Sequence, residues 1–327
     1  MSSLSNLPYG KILDYWYEKH SGKPYRYKFL LTKTIEVFTF KSHCGNVNNR
    51  HNYFDFPVQK LNNIPESPKV SLVIPTFIKT QKDKNDILNL LRSIEKLTLK
   101  PSEVIIVDDC SPIHFEFPDF VKVFRFEQNS GPAKARNFGK KLSIQNGSDI
   151  IAFTDTDCIL SEEWVLNITN SFHEHREFQI LSGNTPSFDN CWFGKYHDIN
   201  GTLNGRQIKE SDKLLYGTTA NFAITREVAE QVDFNENFPT AASEDIEFCF
   251  RANKNGFAIK HIPSMTVFHN YGYTGNLIKN IKRFRQQFKK YGQGETILLK
   301  EIPNYYAYFD RTEEIATIKT GCNNKYT

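Results

Sequence analysis

Carboxylates recur in this 327-residue chain at points where a reaction could use them. Asp155-Thr156-Asp157 follow the apolar run Ile150–Phe153. Two carboxylates two residues apart on such a loop can meet one hard cation that also holds a diphosphate. Mg2+ and Mn2+ favour oxygen ligands and usually take only one or two protein carboxylates beside phosphate oxygens. The ordinary alternative is a turn whose Asp residues cap the next helix. Asp108-Asp109 end the run Val104–Val107. They can accept hydrogen bonds from a nucleobase N–H and ribose hydroxyls, or, with Cys-Ser-Pro after them, form a turn. Glu244-Asp245 stand just after Ser243 at a predicted helix start, where the helix N-terminus favours an ionised base. The same pair could simply complement the helix dipole. Arg136 sits in the first turns of a predicted helix, placed to reach a donor or to pair with a site carboxylate, or else it is a surface cation. His269 follows an apolar strand-like stretch, where a lone His is more often structural than a metal ligand.

The elements that must hold these groups follow from the hydrophobic pattern. Val70–Pro75, Val104–Val107, Lys122–Phe126, Ile150–Phe153 and Asn221–Thr225 read as strands. Short β-branched runs separated by helical stretches imply parallel strands buried on both faces. Ile87, Leu90, Leu91, Ile94 and Leu97 share one face of a helix. Gly131-Pro132 predict an N-cap and first helical position, with Ala135, Phe138 and Leu142 facing inward. Ser161 is expected to cap a helix opening on Glu162 and Glu163. Ser243 is expected to cap another that runs to Asn255 and stops at Gly256. Asn276–Tyr291 is the last clear helix, with Gly292 after it. Gly183–Asn221 is less regular and suits a substrate-lining segment. Ligands in such sheets bind beyond the carboxyl ends of the strands. The expectation is an α/β enzyme with a nucleotide-activated substrate and a mostly parallel central sheet flanked by helices. An N-terminal extension (1–68), closed by the linker-like Ile64-Pro65-Glu66-Ser67-Pro68, and a C-terminal helical tail complete it.

The bulk composition narrows the class. A net charge of +4 is too small to argue for nucleic acid. The six cysteines, Cys44, Cys110, Cys158, Cys191, Cys249 and Cys322, sit singly, without the spacing of a zinc or redox motif. They read as reduced thiols of a cytoplasmic protein. Met1–His20 has no apolar core of signal-peptide type, and no stretch has the length of a membrane span. Twenty-seven Phe and fifteen Tyr suit an aromatic core, sugar stacking or a membrane surface. In the last helix, Leu277, Ile281, Phe284, Phe288 and Tyr291 make one apolar stripe, with Lys279, Lys282, Arg283, Lys289 and Lys290 on the far side. Two arrangements follow: the stripe packs on the catalytic domain, or it lies in a membrane interface at the inner face of the membrane.

Taken in order, the motifs resemble glycosyltransferase family 2, of the GT-A fold. The resemblance runs from Val70 to about Leu299. It rests on Val70–Phe77, Val104–Ser111, Asn129–Gly139, Phe153–Asp157, Thr218–Arg226 and Ser243–Phe257. It implies an inverting, metal-dependent transfer of a sugar from a nucleotide diphosphate donor. UDP-sugar is the commonest family choice. The acceptor would be a glycan, a lipid-linked saccharide or a peptide. By the same resemblance Pro75, Thr76 and Phe77 line the base pocket and Asp109, beside Asp108, binds the base. Asp155 lies near ribose and metal, and Asp157 is the principal ligand of Mn2+ or Mg2+. His269 helps hold metal or diphosphate, and Asp245 is the base, with Glu244 as fallback. The implied division is a donor-binding half (69–180), an acceptor-binding and catalytic half (181–275) and a C-terminal helix and tail (276–327). Two departures stand out: Cys110 replaces the family's usual Gly before Ser, a substitution conservative in size, and Asn235 replaces an acidic residue before Glu236. Two other classes remain: a sugar-phosphate nucleotidyltransferase, which would want a Gly-rich phosphate loop that Thr76–Thr80 lacks, and a non-catalytic nucleotide-sugar-binding module, which loss of Asp157 or Asp245 would favour.

Overall fold

The computed structural model describes residues 61–208, 211–302, 305 and 315–317. Most of the N-terminal extension, with Cys44, and most of the tail after Tyr305, with Cys322, lie outside the described residues. The strands are β1 (Val70–Thr76), β2 (Glu103–Asp108), β3 (Val121–Arg125), β4 (Ile150–Thr154), β5 (Cys158–Leu160), β6 (Ile180–Asn184), β7 (Arg206–Ile208), β8 (Leu214–Tyr216), β9 (Asn221–Thr225), β10 (Ile259–His269) and β11 (Ile315–Thr317). The helices are α1 (Gln81–Glu95), α2 (Pro132–Gln145), α3 (Trp164–Glu174), α4 (Trp192–Asn200), α5 (Arg226–Gln231), α6 (Glu244–Lys254) and α7 (Leu277–Glu301).

Eight strands form one sheet in the order β3-β2-β1-β4-β9-β6-β10-β5, and β11-β7-β8 form a small second sheet. The β3-β2-β1-β4 half is parallel throughout. Beyond β4, β9 is antiparallel to both neighbours, β10 is parallel to β6, and β5 is antiparallel to β10. The sheet is thus mostly parallel, as the sequence implies, with antiparallel pairs confined to one half. Side chains alternate across β1: Leu72 and Ile74 enter a core with Ile87, Leu90 and Trp164, while Val73 enters one with Ala135, Phe153 and Phe248. α1 and α3 cover the first face, and α2, α5 and α6 the second. This two-sided cover is why β1, β2 and β4 read as unbroken apolar runs. The chain leaves β1 for β2 and β3 on one side and returns to β4 on the other. That reversal opens a crevice at the carboxyl ends of β1, β2 and β4.

Several expected boundaries move. Ser161 does not cap a helix: α3 begins only at Trp164, and Ser161 Oγ is buried without a partner. The three residues before it form β5, whose pairing with β10 fixes the local backbone. Gly183–Asn221 holds β6, α4, β7 and β8 rather than irregular chain. β10 tolerates Pro263 because its register slips between Ile262 and Thr266, and Pro263 is exposed there. α7 does not end at Gly292 but runs on to Glu301. A Cβ on Gly294 would stand 2.2 Å from Ala242 O, so this glycine serves close helix packing rather than a stop. From Ile281 onward the apolar stripe of α7 is packed at home, with Phe284 and Phe288 buried against Phe193 and Tyr196 of α4, while Leu277 at its start is 56% exposed. Among the described residues, no helix is long and apolar enough to cross a membrane.

Candidate active site

Strand register makes the first contacts. Thr76 lies opposite Asp108 across the β1–β2 ladder, and Asp109 N donates to Thr76 O at 2.8 Å. Pro75, Thr76, Phe77, Asp108 and Asp109 therefore share one shelf. Thr76 is buried, whereas Phe77 is 38% exposed, with Lys79 Nζ 5.6 Å from its ring centre. Phe77 is the open wall of the shelf, where an aromatic ring could stack.

The two aspartates on this shelf each have partners within the fold. Asp108 accepts from Ser111 N at 2.9 Å and pairs with Arg125. Asp109 accepts from Ser130 N at 2.6 Å and Gly131 N at 2.8 Å, tying β2 to the N-terminus of α2. Gly131 is needed there: its φ is +87°, and a Cβ would come within 3.2 Å of Pro239 O. Cys110, at φ 61°, occupies the left-handed region. Backbone conformation, not size, is what distinguishes it from the family's usual Gly, and a non-glycine residue there is strained. Asn235 donates to Glu301 at 2.9 Å and tethers its loop to the end of α7.

Arg136 is the buried strut of the site. It is 1% exposed, and its guanidinium donates to Glu244 Oε1 at 2.7 Å and Asp155 Oδ1 at 2.9 Å. Burial works against its charge, but Asp155 and Glu244 outweigh it and hold its pKa above the usual arginine value. Of the alternatives the sequence leaves, pairing with site carboxylates is the one observed. The bridge draws the start of α6 to the loop after β4.

The two carboxylates at that helix start differ. Glu244 is buried, with one oxygen on Arg136 and Oε2 without a partner. Asp245 is half-buried, and its Oδ1 accepts from Ile246 N at 2.9 Å. Burial, with Glu244 beside it, pushes the Asp245 carboxyl up to about 7 against the pull of Arg136. Ser243 occupies the N-cap position, but at φ 67° its side chain makes no capping bond. The sharp left-handed turn takes the hydroxyl away from the amides it was expected to cap.

Asp157 meets a different partner. The β5–β10 register sets His269 opposite Cys158, and Asn270 N donates to Asp157 O at 2.8 Å. Asp157 Oδ1 lies 3.3 Å from His269 Nε2. Burial pushes the Asp157 carboxyl up, and His269 opposes the shift. Cys158 completes a group whose donor atoms lie within 4.8 Å of one another. Its Sγ contacts Ala220 O at 3.8 Å, and burial keeps it a thiol, so Asp157 and His269 are the better ligand pair. Asp155 is not in this group; it is held by Arg136.

Three contributors carry no sequence signal or a misleading one. Asp189 accepts from Gly272 N at 3.2 Å and Tyr273 N at 2.9 Å, shaping the turn after His269. Asn270 donates to Asp86 of α1 at 2.8 Å. Tyr291, apparently the end of an apolar stripe, accepts from Gln287 at 2.8 Å. Burial raises its phenol pKa, and the charges of Asp245, Asp157 and Asp155 add to the rise, so α7 borders the acidic centre.

The profile described as glycosyl transferase family 2 matches residues 71–233. An uncharacterized glycosyltransferase, YwdF, of Bacillus subtilis (strain 168) is 25% identical over 255 residues, covering 69% of this chain and 85% of the relative. The succinoglycan biosynthesis protein ExoW of Rhizobium meliloti (strain 1021) is 30% identical over 112 residues, 32% of this chain and 34% of ExoW. Among solved structures, S. aureus TarS 1-349 in complex with UDP has a TM-score of 0.49 at 18% identity, covering 73% of this chain and 72% of that one. GalNAc-T7 with UDP, GalNAc and Mn2+ has a TM-score of 0.49 at 16% identity, covering 75% and 53%. The match over β1 to the segment after α5 takes in the shelf, the Arg136 strut and the acidic loop, and the chain belongs to glycosyltransferase family 2 and is a glycosyltransferase.

Proposed function

We propose that this glycosyltransferase moves a sugar from a nucleotide diphosphate donor, UDP-sugar by family preference, to a glycan, lipid-linked or peptide acceptor with inversion at the anomeric carbon. The observation that carries the reading is the Arg136 bridge, which brings the start of α6 to the Asp155–Asp157 loop. The division into a donor half (69–180) and an acceptor half (181–275) belongs to the same proposal. The shelf of Pro75, Thr76 and Phe77 receives the base. Asp108 and Asp109 hold that shelf in shape, and any contact they make to the nucleotide uses lone pairs left over from their backbone bonds.

Asp157 and His269 are the residues that would hold a divalent cation. A carboxylate oxygen with an imidazole nitrogen fits Mn2+ better than the oxygen-preferring Mg2+. A bound cation would neutralise charge on the departing diphosphate. Asp245 takes the proton from the acceptor hydroxyl as that oxygen attacks the anomeric carbon from the face opposite the leaving group. It is the better base of the pair, because Glu244 is occupied by Arg136 while Asp245 has no ion-pair partner among the described residues. A carboxyl raised towards neutrality is matched to this work. A panel of nucleotide sugars tests the reading: nucleoside diphosphate release with Mn2+, lost with a chelator and restored by the metal, is expected. Release unaffected by the chelator would sink the metal assignment, and release from no donor would sink the donor assignment.

A further inference from the structure

Burying Phe284 and Phe288 removes the middle of the α7 stripe from the surface, but Leu277 at its start stays outside with other apolar side chains. Phe188 is 56% exposed, Trp192 62%, Leu277 56% and Ile278 79%. Among the described residues, only Leu61, at 65%, joins these four as a large apolar side chain more than half exposed. The contacts around them place them on one side of the molecule. Phe193, next to Trp192, packs on Phe284 and Tyr273, with ring centres 5.5 and 5.1 Å away. Tyr196, one turn further along α4, reaches Phe284 and then Phe288, so the two helices advance together. Trp192 at the start of α4 therefore lies towards the start of α7, where Leu277 and Ile278 stand. Phe188 joins them through its neighbour Asp189, which holds the Gly272 and Tyr273 amides just before α7.

Away from the Leu277 face, Lys282 stands one helical turn on from Ile278 and Lys279 follows Ile278 in the first turn of α7, and both are exposed. We infer that Phe188, Trp192, Leu277 and Ile278, rimmed by Lys279 and Lys282, form a surface that docks on an anionic lipid bilayer. Three features select this occupant. The basic rim complements anionic headgroups and would repel the same rim on a second copy. Tryptophan favours the level of the headgroups. The apolar residues sit at the first turns of two helices and the loop before one of them, so they can dip into the interface without exposing a helix interior. Phe188 N donates to His269 O at 2.8 Å, which sets this surface beside the Asp157–His269 pair.

The test is sedimentation of the full chain with vesicles of phosphatidylcholine alone and with phosphatidylglycerol added. Binding is expected only with the anionic lipid. Trp192→Ser with Leu277→Ser and Ile278→Ser should lower the partition at least about tenfold. Lys279→Ala with Lys282→Ala should lower it by roughly tenfold and weaken its salt dependence. All are exposed, so melting temperature should hold. Brominated acyl chains should quench a fluorescence component that Trp192→Phe removes. Equal sedimentation of wild type and both variants, or no quenching of Trp192, overturns the proposal. So does a wild-type dimer that the triple variant makes monomeric without any lipid binding, since the occupant is then a second copy.

Discussion

The aspartates at the end of β2 and those around the acidic centre put the same side chain to opposite ends. Asp108 and Asp109 are 5% and 4% exposed, and their oxygens accept from Ser111, Ser130 and Gly131 amides or pair with Arg125. Asp157 and Asp245 are half-buried, and burial pushes both carboxyls up. A carboxylate whose lone pairs are filled by backbone amides fixes a loop. One that is desolvated beside other charges, with few donors of its own, is poised to bind a cation or take a proton. The residues of the parallel half that look most ligand-like are thus the ones most tied to neighbouring backbone, and the groups to which we assign the cation and the proton gather where the antiparallel half and α7 close over it.

The largest break in this comparison should come from Asp245→Asn. Turnover should fall about 10²- to 10⁴-fold while calorimetry finds donor affinity unchanged, because the amide keeps the shape but takes no proton. A base must be deprotonated to act, and the Asp245 carboxyl sits near 7. The wild-type rate should therefore climb as pH rises through about 7, and the variant should lack that limb. A dead Glu244→Gln beside an active Asp245→Asn would reverse the roles. Arg136→Met should come next, costing about 3 to 5 kcal/mol in urea unfolding, since it strands the buried Glu244 carboxylate. Adding Glu244→Gln should recover part of that loss; no recovery would mean that the bridge is not what the strut stabilises.

Asp198 sharpens the comparison inside the second half. It is buried, accepts from Ser187 N at 2.7 Å, and burial pushes its carboxyl up to about 6. A raised carboxyl contributes stability that is present below its unfolded value near 4 and is lost as pH rises through about 6. Asp198→Asn keeps an acceptor for Ser187, so stability relative to wild type should rise between pH 4 and 6, by up to about 3 kcal/mol. Thermal melts across that range decide it, and parallel pH profiles would show that Asp198 is not the group. The smallest effect is expected at Asp109→Ala, about 1 kcal/mol from loss of the α2 N-terminal bonds, seen as a lower urea midpoint at constant slope. Lost donor affinity with unchanged stability would instead make Asp109 a nucleobase ligand and collapse the contrast.

Much of the fold is legible in the chain because the pattern that specifies it is local. β1, β2 and β4 appear as β-branched runs buried on both faces, and α1 shows its buried stripe. Gly131-Pro132 announce α2 because glycine supplies the positive φ and proline needs no donor at the first helical position. The structure departs from the local pattern where a distant neighbour overrides it. Ser161 looks like a cap, yet β5 is held by β10. Gly292 looks like a stop, yet α7 continues, with Gly294 tight against Ala242.

The residue types and their positions after strands were enough to nominate Asp155, Asp157, Glu244, Asp245 and His269, because charge at the end of an apolar run is a property of neighbours in the chain. Which partner each meets there was decided by tertiary structure. Our assignment of the base to Asp245 over Glu244 depends on Arg136 arriving from α2, and the pairing of Asp157 with His269 rather than Asp155 depends on β5 finding β10. Burial and partner choice are set by segments distant in sequence, and no local pattern records which distant segment will come.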